Sequence, residues 1–401
     1  MTPFSAATHD KRAGDAAPAD CLVRAAVGLE AEFTLIVDDR PVRPEALFRD
    51  PRGFMRGPLM HRVGTSYQLA NGAAIYFDTG VIEIATPVVE IRRGCAARAG
   101  RSLWESIAFL RTELDAWEER ENHSVQLSGF STHYNVSFDT PTHGGRTVDM
   151  LAMLLTHIIP MPVMLLAANR RSTGIGVRPR SNRIEVTADF TPDAALMIAA
   201  ATVIVGIARE VMTWPSFALD ELDSHDIPVI DDFVPEPHSS RNGWVARFTS
   251  YAENPFVADV NEPLWTTRGG DRLSVRDIAA RVVHTFWPSI SRLGDARSLR
   301  LIEALVDGRA ASLLELDDRP PAYDDVGRLC TWKNTFPVGS LSRSRYERLF
   351  IGAIAGRKLC FNGDWYTPTG TRGWSHVVLR RDRDRTRHVF SLDFLLEHLD
   401  G

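Results

Sequence analysis

Val27-Gly28-Leu29-Glu30-Ala31-Glu32-Phe33, VGLEAEF, sits inside the apolar run LVRAAVGLEAEFTLIV and carries two carboxylates spaced by two. In an extended chain, residues two apart point to the same side. Glu30 and Glu32 therefore share one face of a strand, and Leu29, Ala31 and Phe33 share the other. Two accounts fit. The acidic face is simply solvated, as on many antiparallel sheets, or both carboxylates face a cation, because like charges that close oppose each other's ionisation. On this motif alone, solvation is the simpler account.

Three further stretches repeat the pattern. In NGAAIYFDTGVIEIATP (71–87), Thr79-Gly80 between two β-rich runs predicts a two-residue hairpin turn. That turn pairs Asp78 with Val81 and Tyr76 with Glu83, and cross-strand partners share a face. Tyr76, Asp78 and Glu83 then point one way, with Ile75, Phe77 and Ile82 toward a core. Arg183 to Phe190 alternates without a fault: Arg183, Glu185, Thr187 and Asp189 on one side, Ile184, Val186, Ala188 and Phe190 on the other. FSTHYNVSFD (130–139) puts His133, Asn135 and Ser137 on a common face. A sheet with acids spread over several strands of one face repels itself unless cations neutralise it. Hard oxygen ligands suit Mg²⁺ or Mn²⁺, and Mg²⁺ commonly completes its shell with phosphate oxygens. The joint pattern thus reads as a platform for a metal and a nucleotide. Arg183 is placed to meet terminal phosphates; Arg178 and Arg180 read as surface charges.

The chain of 401 residues is long enough for one large domain and a smaller one. Strands expected near 22–37, 73–78, 81–86, 125–138 and 182–190 mix with helices at 104–121 and 274–293, the latter stopped or kinked near Pro288. Such mixing, without strict alternation, predicts an α+β fold. The expected architecture is a large, mainly antiparallel curved sheet with helices on one face. Residues 1–20 read as a disordered tail, 21–330 as the main domain, and 331–401 as a small C-terminal α+β appendage. Residues 222–245, rich in Pro, Asp and Ser, read as a long surface loop.

Several function classes drop out. A formal net charge of -5 argues against a broad nucleic-acid surface. No GxGxxG or GxxxxGK[ST] motif appears, so any nucleotide site is built another way. Cys21, Cys95, Cys330 and Cys360 form no CxxC pair and predict neither a zinc site nor a disulfide framework, which fits a reducing cytoplasm. MLAMLLTHIIPMPVMLLAA (150–168) nears spanning length, but Pro160 and Pro162 predict two short buried helices instead. AALMIAAATVIVGIA (194–208) reads as a core helix too short to span.

G-x-E-x-E-F on the first strand, followed by NGAAIYFDTGVIEIATP, resembles the carboxylate–amine ligase superfamily. Its members share a fold with glutamine synthetase and include glutamate–cysteine ligases and the Pup ligase/depupylase pair. STHYN (131–135) resembles the T-H-E-N strand of the Pup branch. The resemblance implies a glutamine synthetase-like catalytic domain that uses ATP and Mg²⁺, with Mn²⁺ a substitute. Carried over residue by residue, it makes Glu30, Glu32, Glu83 and Glu185 metal ligands. It places Tyr76, His133, Asn135 and Arg183 at the nucleotide, and makes Asp78 the group that assists an amine or water. The implied reaction forms an amide or isopeptide bond through an acyl phosphate. The alternatives are a depupylase- or deamidase-like amide hydrolase holding nucleotide as cofactor, a phosphoryl transfer to an amine, and a non-catalytic nucleotide-binding relative. Ala74, Val88 and Tyr134 depart from the Pup pattern. They point to a divergent member joining a small amino acid, or a peptide or protein carboxylate, to an amine, with neither nucleic acid nor membrane as partner.

Overall fold

The acidic face is built by a few long antiparallel pairings. The computed structural model describes residues 24–139, 146–238, 242–330 and 343–399. The expected tail at 1–20, Cys21 and the start of the appendage lie outside the described residues. In chain order the main sheet contains β1 (Ala26–Val37), β2 (Arg40–Val42), β3 (Met60–Val63), β4 (Ser66–Gln68), β5 (Ala74–Asp78), β6 (Val81–Ala85) and β7 (Val89–Glu90). It continues with β8 (Val125–Ser137), β9 (Gly174–Arg180), β10 (Arg183–Asp189), β11 (Glu236–Pro237) and β12 (Trp244–Arg247). These twelve strands run β11-β12-β9-β10-β8-β1-β6-β5-β4-β3, with β2 and β7 also paired to β1.

β1 lies at the centre because its apolar face is complete. Leu29, Ala31, Phe33 and Leu35 are all inaccessible to solvent, and burying side chains of Leu or Phe size stabilises by about 1.5–3 kcal/mol each. They pack beneath α1 (Cys95–Glu121), whose Leu103, Ile107, Leu110 and Leu114 belong to the same core. α2 (Val148–Ile158) and α3 (Pro160–Ala167) cover β9 and β10. The two prolines do split the apolar run, bending one helix against the next by 58°.

α4 (Ala194–Val211) is longer than expected. Its 18 residues meet the length and apolarity of a membrane span, so the expectation that it is too short fails. The physical reason is that Arg209 and Glu210 extend the helix past the apolar run. Its apolarity serves packing: α1, α3, α6 (Trp287–Leu293) and α7 (Ala296–Val306) surround it, after α5 (Val275–Thr285) has ended before the break at Pro288.

Residues 222–245 are not one loop. They hold the end of a short helix, Glu221–Ser224, and then add β11 and the start of β12 to the sheet edge. β9 was not expected at all. The C-terminal elements comprise α8 (Arg345–Ile354), an antiparallel sheet of β13 (Leu359–Phe361), β14 (Asp364–Arg372), β15 (His376–Arg381) and β16 (Arg387–Ser391), and α9 (Leu392–Leu399). They bury a cluster around Tyr346, Phe350, Phe361, Phe390 and Leu395. β14 packs on β3, which brings the following Trp374 over the acidic face of the main sheet.

Candidate active site

The hairpin forms in the expected register: Asp78 pairs with Val81 and Tyr76 with Glu83. Both turn residues have positive φ, 51° at Thr79 and 99° at Gly80. That is the requirement of a turn whose twist matches the flanking strands. β6 then lies on β1 with Glu83 opposite Glu32. On the other side of β1, His133 of β8 lies opposite Glu30, and Asn135 lies between Gly28 and Glu185. Pleat and register therefore gather Glu30, Glu32, Tyr76, Asp78, Glu83 and His133 on one face.

Their contacts are tight. His133 Nδ1 is 3.2 Å from Glu30 Oε2, and its Nε2 is 3.7 Å from Glu32 Oε1. Ser131 donates its hydroxyl to Glu32 Oε2 at 2.6 Å, and Tyr76 donates to Glu83 Oε1 at 2.6 Å. Burial opposes the charge on Glu30, but the hydrogen bond and charge of His133 outweigh it and bring that carboxyl down to about 2. Glu83 goes the other way. Burial first, then the negative charge of Glu30, pushes its carboxyl well above the ordinary range. Burial works against a charged His133, yet Glu30, Glu185 and Glu32 together raise it. His133 thus sits between two glutamates that both favour its proton.

Four carboxylates, Glu30, Glu32, Asp78 and Glu83, converge around it. Ligand atoms of Glu30, Glu83 and His133 lie within 4.8 Å of one another, and so do those of Glu32, Asp78 and Glu83. Glu83 belongs to both groups. A donor set this rich in carboxylate oxygen fits a hard divalent cation such as Mg²⁺ or Mn²⁺.

Glu185 is placed elsewhere. Its carboxylate is 1% exposed and is taken up by arginines. Arg178 contacts it directly, Arg180 grips both oxygens at 2.8 and 3.0 Å, and Arg183 stands 3.9 Å away. Arg178, expected at the surface, is buried, and Arg180 is largely covered. The reason is β9: it carries both arginines alongside β10, with Arg178 opposite Glu185. Arg183 also donates Nε–H to Asn135 Oδ1 at 2.7 Å. Removing the anion from this cluster takes the nearest counter-charge from the buried Arg178. Glu185→Leu is expected to destabilise the metal-free fold by roughly 3–5 kcal/mol in denaturant titrations. A variant that instead keeps its stability and loses divalent-cation affinity would return Glu185 to the ligands.

Two clefts flank the acids. One, of about 570 Å³ with its open solvent, is lined by Val88, Phe138 and Trp374, with Asn135, Asn182 and Arg183 on its polar side. The Arg62 guanidinium lies over the Trp374 ring, 4.4 Å from its centroid. The other cleft is wider, about 1220 Å³, and includes Glu32, Asp78, Thr79, Phe130, Ser131, His133, Arg178 and Arg247. Ser131, Trp374 and Phe130 are absent from the sequence-derived set. Alternation from His133 and Asn135 reaches Ser131, whereas no local pattern marks the other two.

No protein-family model matches the chain, and no curated protein does. Among solved structures, the crystal structure of the complex between the prokaryotic ubiquitin-like protein Pup and its ligase PafA is similar. The TM-score is 0.49 and the identity 12%, over 94% of this chain and 92% of that one. That likeness is one of outline. The chemistry of the site rests on its own residues.

Proposed function

We propose that this chain is an ATP- and Mg²⁺-dependent carboxylate–amine ligase that forms an amide or isopeptide bond through an acyl phosphate. The observation that carries the reading is the place of Glu83. It is shared by two acid groups, and those groups lie between an apolar cleft and an open polar one. The apolar slot with its convergent amides suits a nucleotide base, with Trp374 as one wall and Asn135 and Asn182 as polar contacts. Arg183, at the same cleft, supplies a guanidinium for phosphate oxygens. Glu30, Glu32 and Glu83 would hold Mg²⁺, and the cation would neutralise charge that develops in phosphoryl transfer.

The remaining steps fall to the chain's own groups. The substrate carboxylate takes the terminal phosphoryl group of ATP and ADP departs. The amine then attacks the acyl carbon in the open cleft, phosphate leaves, and the amine proton passes to the Asp78 carboxylate. The acid substrate is a small amino acid or a peptide or protein carboxylate.

A thermal melt tests the platform. A ligand that binds only the folded state stabilises by about 2.7 kcal/mol at a hundred times its Kd. ATP with Mg²⁺ is expected to raise the melting temperature, and chelation of the metal to remove the rise. Trp374→Ala is expected to cut ATP affinity about tenfold through loss of base stacking. No shift in the wild type at millimolar ATP would sink the ligase reading.

A further inference from the structure

Phe130 is exposed on the wall of the open cleft, and a backbone irregularity put it there. Along β1 and β8, Glu32 pairs with Ser131 but Phe33 pairs with Gly129, so Phe130 has no partner across the ladder. Simple alternation would bury Phe130 with Thr132, Tyr134 and Val136. The bulge turns it outward instead, and its side chain is 57% exposed. A bulge beside a candidate site commonly re-aims a side chain. Gly129 locks it in place, because a Cβ there would come within 2.5 Å of the Phe190 ring. Phe190 in turn packs edge-on against Phe33, centroids 5.3 Å apart. The core thus admits only glycine beside the bulge, and the bulge presents the ring.

The surroundings narrow the occupant. Val81 and Val245 line the same cleft as Phe130, and so do Glu32 and Asp78. The cations that reach it have carboxylate partners: His133 contacts Glu30 and Glu32, Arg178 contacts Glu185, and Arg247 pairs with Glu236 at 3.4 Å. A cleft lined by both carboxylates and an exposed aromatic ring fits an ammonium with an apolar body, and a ring face attracts a cation as well.

Resting on the ligase reading, we propose that Phe130 determines acceptor specificity, and that the acceptor is a primary amine carrying an aromatic or branched apolar group. Phenethylamine and methylamine serve as probes, added to the full chain saturated with ATP and Mg²⁺. Phenethylamine at millimolar concentration is expected to raise the melting temperature further, and methylamine at equal concentration to leave it unchanged. Phe130→Ala is expected to weaken the phenethylamine response about tenfold while keeping the ATP response, which also certifies its fold. Phe130→Tyr retains both. Equal responses to the two amines, or an undiminished phenethylamine response in Phe130→Ala, overturn the assignment and leave the ligase reading standing. Absence of the ATP response in the wild type overturns both.

Discussion

Glu83→Gln is expected to abolish the magnesium-dependent ATP shift and to lower turnover roughly a thousandfold, the scale of losing a charge-stabilising group at a phosphoryl centre. The same substitution should leave the ligand-free protein as stable as the wild type or more so. Glu83 is 3% exposed and shares its surroundings with Glu30, Glu32 and Asp78. The neutral amide keeps an oxygen for the Tyr76 hydroxyl, 2.6 Å away in the wild type, and replaces a carboxyl whose charged form burial and Glu30 disfavour. Relief of that kind is worth about 0.5–2 kcal/mol where a site has been kept strained for its task. Melts without and with ATP and Mg²⁺ read both halves of the expectation. A variant that loses stability in the absence of ligand would show that Glu83 holds the sheet together. The acidic face would then be a structural network and the metal reading would fall.

Much of this arrangement was legible because it depends on period two and one turn. Once Thr79-Gly80 is read as a hairpin, Tyr76, Asp78 and Glu83 must share a face, and the structure pairs them so. Faultless alternation likewise located β10. β9, GIGVRPR, was not legible. Its two glycines and its proline argue against a strand, and it forms because β10 supplies a long partner. Pro179 is tolerated because β12 pairs only Gly174 to Val177, leaving the ladder open on that side. Missing β9 meant missing the arginines that surround Glu185. The bulge at Phe130 was hidden for a related reason. It goes with the close packing of Gly129 on Phe190, which follows a strand some sixty residues distant in the chain. Trp374 reaches the site only through the docking of the C-terminal strands on β3, a contact that no local pattern encodes.

Asp78→Asn separates two roles that the geometry allows one residue. Asp78 closes β5, is half-buried, and accepts a hydrogen bond from the Thr79 hydroxyl at 2.8 Å. The turn beyond it is pinned by the Gly80 N–H donating to Glu45 Oε1 at 2.8 Å. The carboxylate is thus held at the wall of the open cleft. If it takes the amine proton, Asp78→Asn keeps the ATP shift and loses about 100- to 10,000-fold in amide formation, the usual weight of a general base. Hydroxylamine, a strong nucleophile with less need of a base, should then recover much of the product as hydroxamate, one ADP for each. Asp78 also lies within ligating distance of Glu32 and Glu83. Were cation binding its main task, the variant would lose the ATP shift as Glu83→Gln does, and hydroxylamine would rescue nothing. Because the two outcomes differ in binding as well as rate, one variant and one alternative nucleophile decide whether the acid at the end of the hairpin moves a proton or holds a metal.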